Sequence, residues 1–179
     1  MNRRLTFLLP LLLLAVGTAP AADRPTFDWT TYFDQDSVTD ALETLADAYP
    51  RLTELSVIGT TAEGRDILQL TITNEETGPH HAKPAMYVDG AIHGNEVQST
   101  EVCLYLAWLL CDRHGQWERI TDLLDHATFY VVPTVNVDSR ARWFDEATSH
   151  QLGRTARQPW DDDHDGQAED QADQHGRHP

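Results

Sequence analysis

His93-Gly94-Asn95-Glu96 places an imidazole and a carboxylate three residues apart. A neutral imidazole nitrogen and a carboxylate oxygen are donors that zinc accepts, and a catalytic zinc keeps one further position for water. The motif directly follows an apolar run ending in glycine, Ala85-Met86-Tyr87-Val88-Asp89-Gly90, and directly precedes a long apolar helical pattern. A buried strand therefore ends, the chain turns, and the two side chains fall in the turn and the first helical positions. Ligand sites of open α/β sheets lie at such carboxyl ends of strands. Spacing alone decides nothing: 9 histidines and 10 glutamates in 179 residues produce H-x-x-E about 0.5 times by chance. The competing reading is a polar turn with Glu96 favoured by the helix dipole.

The elements that must hold the pair can be read from periodicity. Ser37 and Asp40 resemble a capping box, and Val38, Leu42, Leu45 and Tyr49 mark one face of a helix that Pro50 stops. Leu55, Val57 and Ile58 suggest a strand ended by Gly59. The polar turn Thr60 to Arg65 then leads to Leu68, Leu70 and Ile72, which alternate as the hairpin partner. Glu75 to Pro84 reads as a loop, with His80 and His81 solvated. After the strand Ala85 to Val88, the helix following His93 is apolar almost all round (Val97, Val102, Cys103, Leu104, Leu106, Trp108, Leu109, Leu110), so burial on several sides is expected. A second helix carries Ile120, Leu123 and Leu124, and Thr128 to Val132 is a strand closed by Pro133. Strand, helices, strand is a crossover unit with parallel strands. The loop Pro133-Thr134-Val135-Asn136-Val137-Asp138 should therefore emerge on the same sheet edge as His93.

Both ends of the chain differ in character from this middle. Arg3 and Arg4, the apolar run Leu5 to Val16 and the small residues of Ala19-Pro20-Ala21 have the form of a secretory signal over residues 1–21. No later apolar run reaches the roughly 20 residues that cross a bilayer, so export to a periplasmic or extracellular space is expected, with no membrane attachment after cleavage. The formal charge of −16 repels polyanions, which argues against nucleic acid and anionic membrane as partners. The two cysteines, Cys103 and Cys111, lie eight apart on one expected helix. That is about 12 Å of rise, too far for a disulfide, so both read as small buried apolar residues. Residues 161–179 hold no large apolar side chain and are expected to be a disordered acidic tail. Within it Asp161, Asp163, Asp165 and Gly166 match the opening of a calcium loop, but the twelfth position is Ala172. Ca²⁺ binding and a merely solvated tail both stand as readings.

The order of these pieces resembles the zinc carboxypeptidase family: the leading helix, Gly59-Thr60-Thr61-Ala62-Glu63-Gly64-Arg65-Asp66-Ile67, the strand into His93-Gly94-Asn95-Glu96, and Pro133 to Asp138. The resemblance covers roughly residues 32–160, the amino-terminal half or so of a catalytic domain. It implies an α/β fold, part of a mixed sheet flanked by helices and truncated, with residues 22–160 forming the amino-terminal part of the domain. It implies that His93 and Glu96 are the first two ligands of one Zn²⁺, and that Asn136 and Asp138 belong to the family's asparagine-proline-aspartate-glycine turn, a shaping element. Val137 and Ser139 depart from that turn's proline and glycine. Arg154 stands where relatives carry an arginine that steadies an oxyanion, with Arg140, Arg142 and Arg157 as competitors. The implied reaction is hydrolysis of peptide or protein substrates: zinc polarises the carbonyl and its water, a glutamate takes a proton, and an arginine stabilises the tetrahedral oxyanion.

The family's third zinc ligand, its carboxylate-binding arginine and its general-base glutamate have no counterpart before residue 179, and His150, His164, His175 and His178 read as loop or tail residues. The chain is therefore expected to be an inactive amino-terminal piece that binds zinc weakly. Deacylases of the aspartoacylase and succinylglutamate desuccinylase group share His-Gly-Asn-Glu and give a second reading. A non-catalytic exported binding module or remnant gives a third.

Overall fold

A computed structural model describes residues 24–145. The expected signal (1–21), Arg154, Arg157, the calcium-loop aspartates 161, 163 and 165, and the histidines from His150 onward lie outside the described residues. The elements run α1 (Gln35–Ala48), β1 (Thr53–Thr60), β2 (Asp66–Ile72), β3 (Ala85–Asp89), α2 (Val97–Arg113), α3 (Glu118–His126), β4 (Thr128–Val132) and α4 (Val137–Asp145). Among the described residues no helix is long and apolar enough to cross a membrane.

The four strands form one mixed sheet in the order β1-β2-β4-β3. β1 pairs antiparallel with β2, β2 antiparallel with β4, and β4 parallel with β3. Register aligns Leu55, Leu70, Val131 and Val88 in one row, and the period-2 geometry of strands turns that row to a single face. There they meet Val38, Leu42 and Leu45 of α1, Cys103, Leu104, Ala107 and Leu110 of α2, and Leu124 of α3. The neighbouring row, Glu54, Thr71, Tyr130 and Tyr87, faces the other way, and Tyr87 is 57% exposed.

Local chemistry corrects several sequence expectations. α1 begins earlier than the Ser37–Asp40 box implied: Asp34 is the N-cap, and its carboxylate accepts from the Ser37 N–H at 2.8 Å. Aspartate caps as well as serine does, and the side chain one turn upstream reaches the free N–H first. Gly59 does not end β1. The register slips between Val57 and Gly59, so Ile58 is the extra residue of a bulge and the strand continues to Thr60. The 75–84 segment contains two short 3₁₀ turns, and His80 is not merely solvated, because its Nδ1 lies 2.9 Å from the Tyr130 hydroxyl. α2 is buried along one side only. Val102 faces outward, 66% exposed, and Tyr105 is covered only in part, by Trp29.

The irregular lead-in is tied down rather than loose. Phe27, Trp29 and Phe33 stack edge-on with one another, Trp29 packs on Tyr105 and Trp108 of α2, and the Trp108 indole donates to Pro25 O at 3.0 Å. Deeper in, Arg140 of α4 is fully buried. Its Nη2 donates to Phe33 O at 2.6 Å and to Glu101 Oε1 at 3.2 Å, while Glu101 also accepts from the Phe33 N–H. The guanidinium lies 4.9 Å from the centroid of the Phe144 ring. Burial pushes Arg140 down to about 10, so it stays charged at neutral pH, and burial pushes the Glu101 carboxyl up. Arg140, a competitor for the oxyanion role by sequence, is thus a tie between α4, α2 and the lead-in. Nη2 makes both of these hydrogen bonds, and Nε and Nη1 are buried without a hydrogen-bond partner among the described residues.

Replacing Arg140 by alanine leaves Glu101 without its cation in a largely buried site. A loss of about 3 kcal/mol or more is expected in a urea titration, the scale for breaking a buried pair on one side. The thiols give a second check. Both are free and buried, and burial pushes Cys103 up to about 11 and Cys111 higher still. The folded chain should leave both unmodified by a disulfide reagent at pH 8 and expose two reactive thiols on denaturation, since the thiolate is the reactive form.

Candidate metal centre

Because β3 and β4 run parallel, both end on one edge, and the two segments that leave them meet there. The 90–96 turn and the 133–138 turn are joined backbone to backbone: Val135 N–H donates to Gly90 O at 2.9 Å and Asn136 N–H to Ala91 O at 3.0 Å. The Asn136 side-chain amide adds a bond to Ile92 O at 3.3 Å. Its Oδ1 accepts from the Ser139 N–H at 3.3 Å, a capping contact that opens α4. Asn136 and Asp138 therefore do not lie in an open turn, because the chain enters a helix at Val137.

Close approach makes glycine necessary at two positions. A Cβ on Gly90 would fall within 2.9 Å of Pro133 O and the Ser99 backbone. A Cβ on Gly94 would overlap the Ser139 carbonyl carbon and side chain, 2.5 Å or less away. The glycine of the H-x-x-E motif is thus the point where the His93 turn lies flat on the first turn of α4. Between them Ala91 holds φ at +49°, a left-handed conformation costing roughly 1–2 kcal/mol for an L-residue. Two bonds hold it there: its N–H donates to Ser99 Oγ at 2.7 Å, and its carbonyl accepts from Asn136. Ser99 Oγ in turn donates to Glu96 O at 2.6 Å, which ties the turn to α2.

In this frame His93 and Glu96 come together. Nδ1 of His93 lies 3.1 Å from Oε1 of Glu96, and their side chains are 31% and 55% exposed. Glu96 occupies the N-cap position of α2, yet its side chain makes no capping bond. Its carboxylate points to the imidazole and not to the helix end. Two ligands of one tetrahedral zinc, each about 2.0–2.1 Å from the ion, lie about 3.3 Å apart, so this donor pair fits two corners of such a site. Among the described residues no group of three His, Cys, Asp or Glu side chains could hold a metal. His93 and Glu96 are thus two side chains of the donor types that zinc accepts.

Asp138 lies behind this platform. It is fully buried, and its carboxylate accepts from Thr61 Oγ1 at 2.7 Å, the Glu63 N–H at 3.2 Å and Arg65 Nη1 at 2.8 Å. Arg65 also pairs with Glu63, and Arg142 reaches the other oxygen of Glu63, so Arg142 is engaged on the hairpin. The sequence pointed to Asp138 but missed Thr61, Ser99 and Ser139. A serine three residues after Asn136 was the available cue to the cap of α4.

The comparisons with known proteins agree with this architecture. A family model described as zinc carboxypeptidase matches residues 38–173. The chain belongs to the zinc carboxypeptidase family. It is 31% identical over 130 residues to a carboxypeptidase B of Astacus astacus, covering 73% of this chain and 40% of the relative. It is 30% identical over 124 residues to human carboxypeptidase D, covering 69% of this chain and 9% of the relative. Among solved structures, thrombin activatable fibrinolysis inhibitor superposes with a TM-score of 0.60 at 27% identity, covering 66% of this chain and 29% of that one. The carboxypeptidase A of Helicoverpa armigera superposes at 0.59 and 21% identity, over 68% of this chain and 28% of that one, which bears on fold alone. The chain thus spans less than half the length of each of these proteins, and its mixed sheet flanked by helices is part of the fold of the two solved structures.

The Gly94–Ser139 contact yields a direct test. Gly94→Ala leaves both donors in place but forces the turn off α4. Zn²⁺ affinity measured by competition with a chromophoric chelator should fall roughly 10–100-fold, the scale for disturbing the support of a metal ligand. An unchanged affinity would show that this packing does not set the donor geometry.

Proposed function

We propose that residues 22–160 form the amino-terminal part of the catalytic domain of an exported zinc carboxypeptidase that hydrolyses peptide bonds of peptide or protein substrates. The observation that carries this reading is the His93–Glu96 pair, an imidazole and a carboxylate 3.1 Å apart at the carboxyl edge of a parallel strand pair. The family is a zinc family, and the relatives named above are carboxypeptidases. The signal-like run at residues 1–21 supports export.

In this reading His93 and Glu96 hold the ion from one side. When bound, zinc supplies a Lewis acid for the scissile carbonyl and an acidified water. His93 would bind as a neutral imidazole. The glycine contact and the Asn136 bonds keep the turn from relaxing when the ion's charge pulls on it. Arg154 is assigned to the developing oxyanion. For Asp161, Asp163 and Asp165 a Ca²⁺ loop and a solvated acidic tail stand as alternatives. The third ligand, the carboxylate-binding arginine and the general base belong to parts of the domain with no counterpart in residues 22–160. The chain by itself is therefore expected to be inactive.

Equilibrium dialysis with the secreted product tests the metal assignment. Zinc should bind at one site per chain, more weakly than a three-ligand site, and His93→Ala or Glu96→Ala should each lower the affinity by at least about tenfold. Tight zinc that survives His93→Ala would refute the ligand assignment. Zinc-dependent release of C-terminal residues from short peptides by this chain alone would refute the inactive-fragment assignment.

A further inference from the structure

We propose that Asp138 is a positioning residue: a buried carboxylate that locks the Thr61–Arg65 hairpin turn onto the first turn of α4 and, through that turn, fixes the segment bearing His93 and Glu96. The inference rests on the reading of those two residues as metal ligands, but its geometry stands apart from any metal. Asp138 lies about 0% exposed, and all its bonds cross to one element, the turn between β1 and β2. A buried carboxylate is costly unless its lone pairs are filled. Here a hydroxyl, a backbone N–H and a guanidinium fill them, and the last two are donors that a neutral side chain would not hold as strongly.

The turn is itself shaped for the purpose. Thr61 N–H donates to Arg65 O at 2.8 Å, and Arg65 N–H donates back to Thr61 Oγ1 at 3.0 Å. Gly64 adopts φ +82°, which closes the turn and brings Arg65 round to Asp138. Thr61 Oγ1 thus bonds both its own turn and Asp138.

At the same helical turn lie the contacts that carry the site: Asn136 bonded to Ala91 and Ile92, and Ser139 against Gly94. The first turn of α4 is held between two partners, the hairpin through Asp138 and the metal-ligand turn through Asn136 and Ser139. Releasing one partner lets the turn move relative to the other.

The test uses the secreted chain and two readouts. Thr61→Val removes both hydroxyl bonds without changing volume much, and Thr61→Ser restores them. Hydrogen exchange of the Val135 and Asn136 amides, which donate to Gly90 and Ala91, reports the seam without any metal. In Thr61→Val these two amides should exchange about tenfold faster or more, the scale of a lost bond to a charged group. The Leu70 and Val131 amides in the sheet should keep their rates, and Thr61→Ser should exchange as the parent does. Asp138→Asn should show the larger change if it folds, and Thr61→Val carries the test if it does not. Unchanged Val135 and Asn136 protection in Thr61→Val, or a uniform loss that includes the sheet amides, would overturn the proposal. Zn²⁺ affinity is the second readout, expected to drop several-fold in Thr61→Val and recover in Thr61→Ser. A parent chain that binds no zinc would remove the metal reading while the exchange result still decides the positioning role.

Discussion

The contact between the 90–94 turn and residues 136–139 is the constraint on which the candidate site depends. Strands β3 and β4 are parallel neighbours, so two chain segments leave one sheet edge at adjacent places. They approach until backbone meets backbone, with Gly94 against Ser139 and Asn136 bonded to Ala91 and Ile92. A side chain at Gly90 or Gly94 would part them. The left-handed Ala91 shows that the turn is over-determined: its conformation is unfavourable alone and persists because Ser99 and Asn136 hold both of its backbone groups.

Helix α4 is short, only nine residues, yet it carries two fully buried charges two positions apart. Asp138 is satisfied by the hairpin, whereas Arg140 donates only through Nη2, to Glu101 and Phe33, and its Nε and Nη1 are buried without a hydrogen-bond partner among the described residues. Buried ion pairs contribute little net stability when compared with apolar packing, and their best-attested role is to specify one arrangement. Here each charge has a different partner segment, so the helix must be oriented to bring Asp138 to the hairpin and Arg140 Nη2 to Glu101 and Phe33 at once. That orientation is the one that presents Asn136 and Ser139 to the His93 turn.

Much of the fold was legible in the sequence because its signals are local. Alternation in Leu68, Leu70 and Ile72, the helical spacing of Val38, Leu42 and Leu45, and the strand-helices-strand order each follow from periodicity. Helix α4 was missed because its apolar pattern is weak and its cap is an asparagine read as part of a loop. The bulge at Ile58 was missed because a glycine ends a strand as readily as it follows a bulge. The apolar helix α2 was expected to be buried on several sides. Apolarity reports what a face would bury, and among the described residues Val102 stays exposed while Tyr105 is covered only in part, by Trp29.

The sequence by itself determined that an imidazole and a carboxylate stand at the end of a parallel strand, and that a second polar loop emerges beside them. Both follow from spacing along one chain and from the handed rule of crossover connections. Only the tertiary structure decided how Asp138 and Arg140 are used. Their partners, Thr61 and Arg65 for one and Phe33 and Glu101 for the other, lie 39 to 107 residues away in sequence. A charge two residues from another looks the same whether it is solvated, catalytic or structural. What separates these roles is which donors and acceptors fold against it, and that is fixed by packing between elements and not by any pattern within one.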